Sequence, residues 1–330
     1  MTSATPAVPP TAADIDAAAA RLKGVAVRTP LIASAVLDEA IGARVFLKAE
    51  TLQRTGSFKF RGAYNKMASI APDRRAAGVV AYSSGNHAQG VAAAAKLLGM
   101  RATIVMPRDA PLAKRERTAA LGAEIVLYDR DNEDRAAIAR AIVEQRGATL
   151  VPPYDDALII AGQGTIGREI VEDLAQLGLT PEVAVIGASG GGLAAGIALA
   201  LKARVPQVEV YTAEPEGFED TLRSFKSGRR EANARMSGTI CDSLMTQTPG
   251  ELTFPINRAL IGQGVVASDA EVGRAVAFAF RELKLVVEPG GAIGLAALLA
   301  GKIAVKGKVV VAVLSGGNVD AALFDRLIAA

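Results

Sequence analysis

Two kinds of segment alternate along much of the chain, one short and β-branched, the other longer and rich in alanine. The short segments include GVVAYSS, ATIVMP and EIVLYD. Each is followed by a segment with apolar residues at helical spacing: VAAAAKLLGM, AKRERTAALG and RAAIARAIVEQRG. Strands that alternate with helices are typical of βαβ units and a parallel sheet. The pattern therefore predicts an α/β fold.

A second series of strands begins near Ile160 and includes VAVIGASGGG, VEVYTAEPE and KVVVAVLSGGN. Each run ends in a polar or glycine-rich turn, and ligands bind at such strand ends in open α/β sheets. We expect two open, mostly parallel sheets flanked by helices. A small domain at residues 71–150 would be inserted in a large domain made of residues 1–70 and 151–330, with the ligand between them.

Composition and charge exclude several classes of partner. Half of the 330 residues are hydrophobic, and 37 basic and 34 acidic residues leave a net charge of +3 without a long basic run. We therefore expect no nucleic-acid partner. The apolar stretches are broken before they reach membrane-spanning length, and the N-terminus has neither a basic start nor an apolar signal core. The sequence predicts a cytoplasmic enzyme with no membrane association.

Cysteine and histidine each occur once, as Cys241 and His87. A single chain can therefore form no disulfide, no thiolate zinc site and no histidine-rich metal site. Demanding chemistry would need another source of reactive groups.

The turn GASGGGLAAG, residues 187–196, follows an apolar strand and opens an alanine-rich helix. Glycines let backbone N–H groups close around an anion at a helix N-terminus, so a phosphate group is one expected ligand. The alternative is a degenerate dinucleotide fingerprint formed by Gly190, Gly192 and Ala195, with Glu214 about 20 residues onward. Glycines that only permit close packing are a third interpretation.

Two further turns also carry hydrogen-bonding groups at strand ends. SSGNH, residues 83–87, could hold a carboxylate through N–H groups, two hydroxyls and an amide, or could merely cap a helix. Ser315, in LSGGN, could hold a ring nitrogen through a neutral hydrogen bond, or could cap the last helix.

Lys59 lies between two phenylalanines in TGSFKFRG, where a lysine either extends outward to water or has a lowered pKa and a chemical task. A lysine, a phosphate cradle, a carboxylate cradle and a hydroxyl for a ring are together the parts of a pyridoxal phosphate site. A nicotinamide site would leave the lysine unexplained. The acidic run TAEPEGFED has enough oxygen ligands for a hard cation, although most such runs are solvated loops.

Six motifs carry a family resemblance: TGSFKFRGA, SSGNHAQG, IAGQGTIG, GASGGG, EPGGAIG and LSGGNVD. In this order they resemble the fold-type II (tryptophan synthase β-like) pyridoxal phosphate enzymes of the threonine/serine dehydratase and serine racemase family. The resemblance extends from Val27 to Asp320.

The resemblance implies a role for each matching residue. Lys59 would bind the cofactor covalently and act as the catalytic base, with Phe58 beside the ring, Asn86 on its phenolic oxygen and Ser315 on its nitrogen. The phosphate group would be bound by Ser189, Gly190, Gly191, Gly192 and Leu193, and the substrate carboxylate by Ser83, Ser84, Asn86 and His87. Ser84 would be the second catalytic residue in a racemase. Mg²⁺ or Ca²⁺ would be held by Glu214, Asp220 and the carbonyl of Phe218.

The implied activity is conversion of L-threonine or L-serine to 2-oxobutyrate or pyruvate and ammonia by β-elimination. A serine at the ring nitrogen can leave that nitrogen neutral, which favours loss of a β-hydroxyl over a long-lived carbanion. The alternatives are a serine racemase with side elimination and a 3-hydroxyaspartate dehydratase, in which Arg130 could pair with the distal carboxylate. Family members are commonly dimers or tetramers, so we expect a homodimer or homotetramer.

Overall fold

The computed structural model describes residues 8–110 and 112–329. Its strands are β1 (Leu31–Ala33), β2 (Arg44–Ala49), β3 (Val79–Tyr82), β4 (Ala102–Pro107), β5 (Glu124–Tyr128), β6 (Thr149–Leu150), β7 (Val183–Gly187), β8 (Glu209–Pro215), β9 (Gly264–Ala267) and β10 (Val309–Leu314). Its helices are α1 (Ala12–Leu22), α2 (Ala35–Ile41), α3 (Lys59–Ala68), α4 (Asn86–Leu98), α5 (Leu112–Ala120), α6 (Arg135–Arg146), α7 (Ala157–Gln176), α8 (Gly192–Arg204), α9 (Asp220–Ser227), α10 (Thr253–Leu260), α11 (Asp269–Leu283), α12 (Pro289–Leu299) and α13 (Ala321–Ala329).

The strands form two sheets. The larger has the order β1-β2-β10-β7-β8-β9, and the smaller has the order β5-β4-β3-β6. Only β1 runs antiparallel to its neighbour among the described strands. Two mostly parallel sheets flanked by helices confirm the predicted fold class.

Burial explains why the central strands contain so few polar residues. Strand β7 is buried along its whole length, and β10 is buried at all but its first residue, because helices cover both faces of the sheet. Helices α7 and α8 pack without space for a side chain at one crossing. A Cβ atom at Gly196 would overlap the carbonyl oxygen of Ile160, so glycine is required there for the close approach.

All four strands of the smaller sheet lie between residues 79 and 150. This arrangement fits an inserted small lobe, while the predicted limits at residues 71 and 150 stay a prediction. No helix in the described ranges combines the length and apolar character needed to cross a bilayer. The predicted cytoplasmic location stays a prediction.

The carboxyl ends of β3, β7 and β10 face the space between the two sheets. The chain passes from β3 into α4 and from β7 into α8 through the short polar turns noted in the sequence. Helix α3 also begins at this space, with Lys59 as its first residue. Three helix N-termini, which favour anions, therefore meet at one place.

Candidate active site

A cavity of about 440 Å³ lies between the two lobes. All twelve residues predicted above to contact the cofactor or the substrate line this cavity. Glu214, Phe218 and Asp220 do not line it, and lie instead where β8 ends and α9 begins. The described residues thus contain two separate candidate sites. One is the catalytic cavity, and the other is the segment of residues 214–220, which we call the acidic loop.

Lys59 projects into this cavity from the start of α3. Its Nζ donates a hydrogen bond to the carbonyl of Pro153 at 2.8 Å and lies 5.1 Å from the centre of the Phe58 ring. Burial lowers the pKa of the Lys59 ammonium to about 8, and the neighbouring charge of Glu288 only partly opposes this effect. The amine is therefore neutral much more often near neutral pH than an exposed lysine.

Two residues after Lys59, Arg61 fixes the start of the same helix. Its side chain is 1% exposed, yet it bonds Glu50 at 2.8 Å and Glu169 at 2.7 Å. Burial would lower the pKa of Arg61, but the two carboxylates outweigh that effect and raise it. Because breaking a buried pair leaves an uncompensated charge, this cluster holds α3, and with it Lys59, rigidly against α7.

The glycine-rich turn before α8 is supported from behind by α10. Thr253 Oγ1 donates to the carbonyl of Gly190 at 2.6 Å, and Asn257 Nδ2 donates to the carbonyl of Gly191 at 3.1 Å. The C=O and N–H of a trans peptide point in opposite directions. Engaging these carbonyls on α10 therefore turns the following N–H groups the other way, which suits an anion at the N-terminus of α8.

Side chains are excluded from this turn by close contacts. A Cβ atom at Gly190 would overlap the ring of Tyr154, and one at Gly192 would lie 2.9 Å from the Tyr154 carbonyl oxygen. Gly191 has φ +90°, which is strained for other residues. The dinucleotide alternative has no support, because Glu214 lies outside the cavity and accepts hydrogen bonds from the backbone N–H groups of Thr221 and Leu222.

The turn at residues 83–87 forms the opposite wall. His87 is buried, and its Nε2 lies 2.8 Å from the carbonyl of Val151. A carbonyl only accepts, so this nitrogen carries the proton and Nδ1 does not. Burial and the charge of Lys59 lower the pKa of His87 to about 3, so the ring stays neutral. Any contribution of His87 to binding a carboxylate would therefore come from its backbone N–H.

Three cationic side chains line the outer part of the cavity. Lys114 pairs with Asp242 at 2.7 Å, and Arg130 lies 3.3 Å from Asp109. Arg135 instead lies 5.6 Å above the centre of the Tyr82 ring, and no carboxylate of the described ranges forms an ion pair with it. The family resemblance indicated Arg130 and not Arg135. Both arginines belong to one polar stretch of the sequence, and only the fold shows which of them lacks a carboxylate partner among the described residues.

The acidic loop contains buried carboxyl groups, two oxygens of which lack a hydrogen-bond partner. Asp220 Oδ2 and Glu219 Oε2 are buried without a hydrogen-bond partner. Burial raises the pKa of Glu214 to about 8 and that of Asp220 to about 7. Within residues 8–110 and 112–329 no three His, Cys, Asp or Glu side chains converge as metal ligands. The predicted site has two carboxylates and a carbonyl, and the unpartnered oxygen fits a cation there.

These observations define an α/β enzyme with a weakly basic lysine opposite an anion cradle. A family model described as pyridoxal-phosphate dependent enzyme matches residues 22–316. The chain is 46% identical over 315 residues to L-threo-3-hydroxyaspartate ammonia-lyase of Pseudomonas sp, covering 96% of this chain and 97% of that protein. It is 44% identical over 317 residues to L-threonine ammonia-lyase of Thermotoga maritima, covering 96% of this chain and 77% of that protein. The solved structure of maize serine racemase matches with a TM-score of 0.91 at 35% identity and covers 97% of each chain.

The chain therefore belongs to the pyridoxal-phosphate dependent enzyme family, and the predicted family is confirmed. The family implies pyridoxal phosphate as the cofactor, and the cavity fits it. Lys59 supplies an amine for the aldehyde, the turn at residues 189–193 fits the phosphate group, and Ser315 offers a neutral hydroxyl.

Proposed function

We propose that the enzyme is an ammonia-lyase that converts L-threonine and L-serine to 2-oxobutyrate and pyruvate by β-elimination. The observation that carries this proposal is Lys59, whose lowered pKa and position in the cavity suit a base beside an amino acid's α-carbon. When bound, the cofactor withdraws electrons from that carbon. The hydroxyl of Ser315, at 7% exposure, is a partner that does not force the ring nitrogen to be protonated.

The chain's own residues would act in sequence. The turn at residues 83–87 binds the substrate carboxylate, and Lys59 Nζ takes the α-proton. The bond from Cβ to the hydroxyl then breaks, and the hydroxyl leaves as water with the proton that Lys59 removed, which returns Lys59 to the neutral amine. The enamine that is released takes up water and yields the 2-oxo acid and ammonia, so the atoms balance.

The first experiment is a coupled 2-oxo acid assay with L-serine, L-threonine and L-threo-3-hydroxyaspartate in parallel, with chiral analysis of the remaining serine. Oxobutyrate and pyruvate without D-serine support the proposal. No 2-oxo acid from any of the three substrates would contradict it.

Lys59→Ala should abolish both the absorbance band of the cofactor linked covalently to the lysine and 2-oxo acid formation, because the variant loses the covalent anchor and the base together. Lys96→Ala is the matched control, since Lys96 is an exposed lysine on α4. Turnover retained in Lys59→Ala at the control's rate would refute the assigned role.

A 3-hydroxyaspartate dehydratase is the second candidate, and Arg135 favours it. A guanidinium that lines the cavity without an ion pair could bind a second substrate carboxylate in bidentate fashion. The names of relatives from Pseudomonas sp and Saccharomyces cerevisiae, 46% and 41% identical, support the same substrate class. Preference for L-threo-3-hydroxyaspartate in the assay would replace threonine and serine as the proposed substrates.

Racemisation remains the third candidate and depends on Ser84, which lines the cavity with Lys59. A racemase needs a second acid/base on the opposite side of the α-carbon. Ser84→Ala should abolish any D-serine formation and spare elimination from L-serine, as measured by chiral chromatography alongside the 2-oxo acid assay. Ser83→Ala provides the neighbouring control, and equal loss of both reactions in Ser84→Ala would speak against this role.

We further propose that the acidic loop binds Mg²⁺ or Ca²⁺ through Glu214, Asp220 and the Phe218 carbonyl, and that the protein is a homodimer or homotetramer. The buried, unpartnered Asp220 Oδ2 supports the metal site. Binding of either cation to chelator-treated protein can be measured by calorimetry, and light scattering gives the mass of the assembly. Absence of a heat of binding would contradict the proposed cation site, and the mass of a monomer would contradict the proposed oligomer.

A further inference from the structure

Asn86 is held at both ends of its side-chain amide by partners on the large lobe. Its Nδ2 donates to Glu288 Oε1 at 2.6 Å, and its Oδ1 accepts from Asn318 Nδ2 at 2.8 Å. Asn318 Nδ2 also donates to the carbonyl of Thr55 at 2.7 Å. The four residues form a hydrogen-bond chain that joins the start of α4 to the segment before Lys59.

The direction of every hydrogen bond in this chain follows from the Thr55 carbonyl. A backbone carbonyl only accepts, so the atom of Asn318 that faces it must be the amide nitrogen. That nitrogen also faces Asn86, whose nearer atom must therefore be the oxygen. The Asn86 nitrogen is consequently directed toward Glu288, and one of its two hydrogens is left for another acceptor.

The backbone of two glycines packs closely against this hydrogen-bond chain. A Cβ atom at Gly316 would overlap Glu288 Oε1, and one at Gly56 would lie 2.8 Å from Asn318 Oδ1. Glu288 is 4% exposed, and its backbone N–H donates to the Gly316 carbonyl at 3.0 Å. Both glycines belong to motifs that flank the cavity, so the absence of a side chain at each one lets these motifs lie against the hydrogen-bond chain.

We propose that Asn318 and Glu288 are positioning residues that hold the Asn86 amide as a hydrogen-bond donor toward the cofactor's phenolic oxygen. This inference rests on the proposed function, in which Asn86 contacts that oxygen. Neither Asn318 nor Glu288 need touch the cofactor. Asn318 sets the polarity of the amide, and Glu288 accepts the hydrogen that would otherwise lack a partner.

Two nearly isosteric substitutions separate the role of Asn318 from that of Glu288. Asn318→Asp cannot donate to Thr55 and presents an acceptor to Asn86, so it should reverse the Asn86 amide. Glu288→Gln keeps an acceptor for Asn86 and should largely preserve the amide. For Asn318→Asp we expect about tenfold weaker binding of pyridoxal phosphate to the apoprotein, the effect of one lost hydrogen bond. We also expect a shifted pH profile of the bound cofactor's visible absorbance. In Glu288→Gln the affinity should stay close to that of the wild type, whereas the absorbance profile should shift there too, because the charge of Glu288 acts on Lys59.

Ser268→Ala is the control for stability alone, because Ser268 caps α11 and lies outside the cavity. The inference is overturned if Asn318→Asp lowers the thermal midpoint as Ser268→Ala does while its cofactor affinity and absorbance profile stay those of the wild type. Wild-type apoprotein that shows no saturable, Lys59-dependent visible band would instead overturn the proposed function, and this inference with it.

Discussion

Lys48 is buried and Lys59 is half-buried, and the two lysines differ in the groups that surround their charge. Lys48 is 0% exposed, and its Nζ lies 2.7 Å from Glu169 and 3.5 Å from Asp173. Lys59 Nζ has a backbone carbonyl as its hydrogen-bond partner and no carboxylate of the described ranges within 4 Å. A buried ammonium without a counter-charge is costly, which favours the neutral amine. The presence of carboxylate partners thus distinguishes Lys48 from Lys59, the proposed catalytic base.

The choice of substrate can be tested on two arginines of the same stretch. Arg135→Met should raise KM for L-threo-3-hydroxyaspartate about tenfold to a hundredfold, because a charged hydrogen bond is worth about 1.5–3 kcal/mol. KM for L-serine should change little, since serine has no distal carboxylate. Arg130→Met is the matched control, because Arg130 lines the same cavity but lies near Asp109. Equal effects of both substitutions on both substrates would remove Arg135 from the proposed subsite.

At the level of helices and strands, the sequence predicted what is local and missed what is not. The strands GVVAYSS, ATIVMP and EIVLYD contain β3, β4 and β5, and the turns after β3, β7 and β10 meet as expected. Each predicted cofactor contact belongs to a short run at a strand end or, for Phe58 and Lys59, at the start of α3, so a motif reveals it. Helix α10 gave no such signal, because TFPINRAL has an ordinary amphipathic pattern and meets the glycine turn only through the fold.

Asn318 and Glu288 were missed for a similar reason. Both lie in motifs that the sequence analysis quoted, LSGGNVD and EPGGAIG, but neither is expected to contact the cofactor. Their partner is Asn86, more than 200 residues away. Local pattern can assign a residue to a turn, but it cannot show which distant amide that residue holds.

Helix α10 supports the glycine-rich turn through hydrogen bonds. Removing one of these bonds should therefore weaken cofactor binding and leave the rest of the fold intact. Thr253→Val keeps the side-chain shape but removes one of the two donors to the Gly190 carbonyl, leaving only the Gly250 N–H at 3.2 Å, at a cost of about 0.5–1.5 kcal/mol. We expect affinity for pyridoxal phosphate to fall about tenfold in titrations of the apoprotein. Thr103→Val is the matched control, because Thr103 donates to Glu124 at 2.7 Å in the small lobe, away from the cavity. Equal affinity in the two variants would show that the turn holds its shape unaided.

For the whole molecule, three buried carboxyl groups have raised pKa values. Burial raises the pKa of Glu214 to about 8, and raises those of Asp220 and Glu288 to about 7. An unfolded carboxyl group has a pKa near 4, so between these values the folded protein binds more protons than the unfolded chain. The free energy of unfolding must then fall as pH rises, by at most about 1.4 kcal/mol per pH unit for each group.

If the acidic loop binds a divalent cation as proposed, the cation should counteract this fall, because it would bind the ionised forms of Glu214 and Asp220 and replace their protons. We predict that chelator-treated protein loses thermal stability between pH 5 and pH 8, and that Mg²⁺ or Ca²⁺ raises the thermal midpoint more at pH 8 than at pH 5. Glu214→Gln should flatten the pH dependence and remove most of the response to the cation. The exposed residue Glu144, changed to Gln, serves as the control. A cation response that is equal at both pH values, or unchanged in Glu214→Gln, would place the cation elsewhere than in the acidic loop.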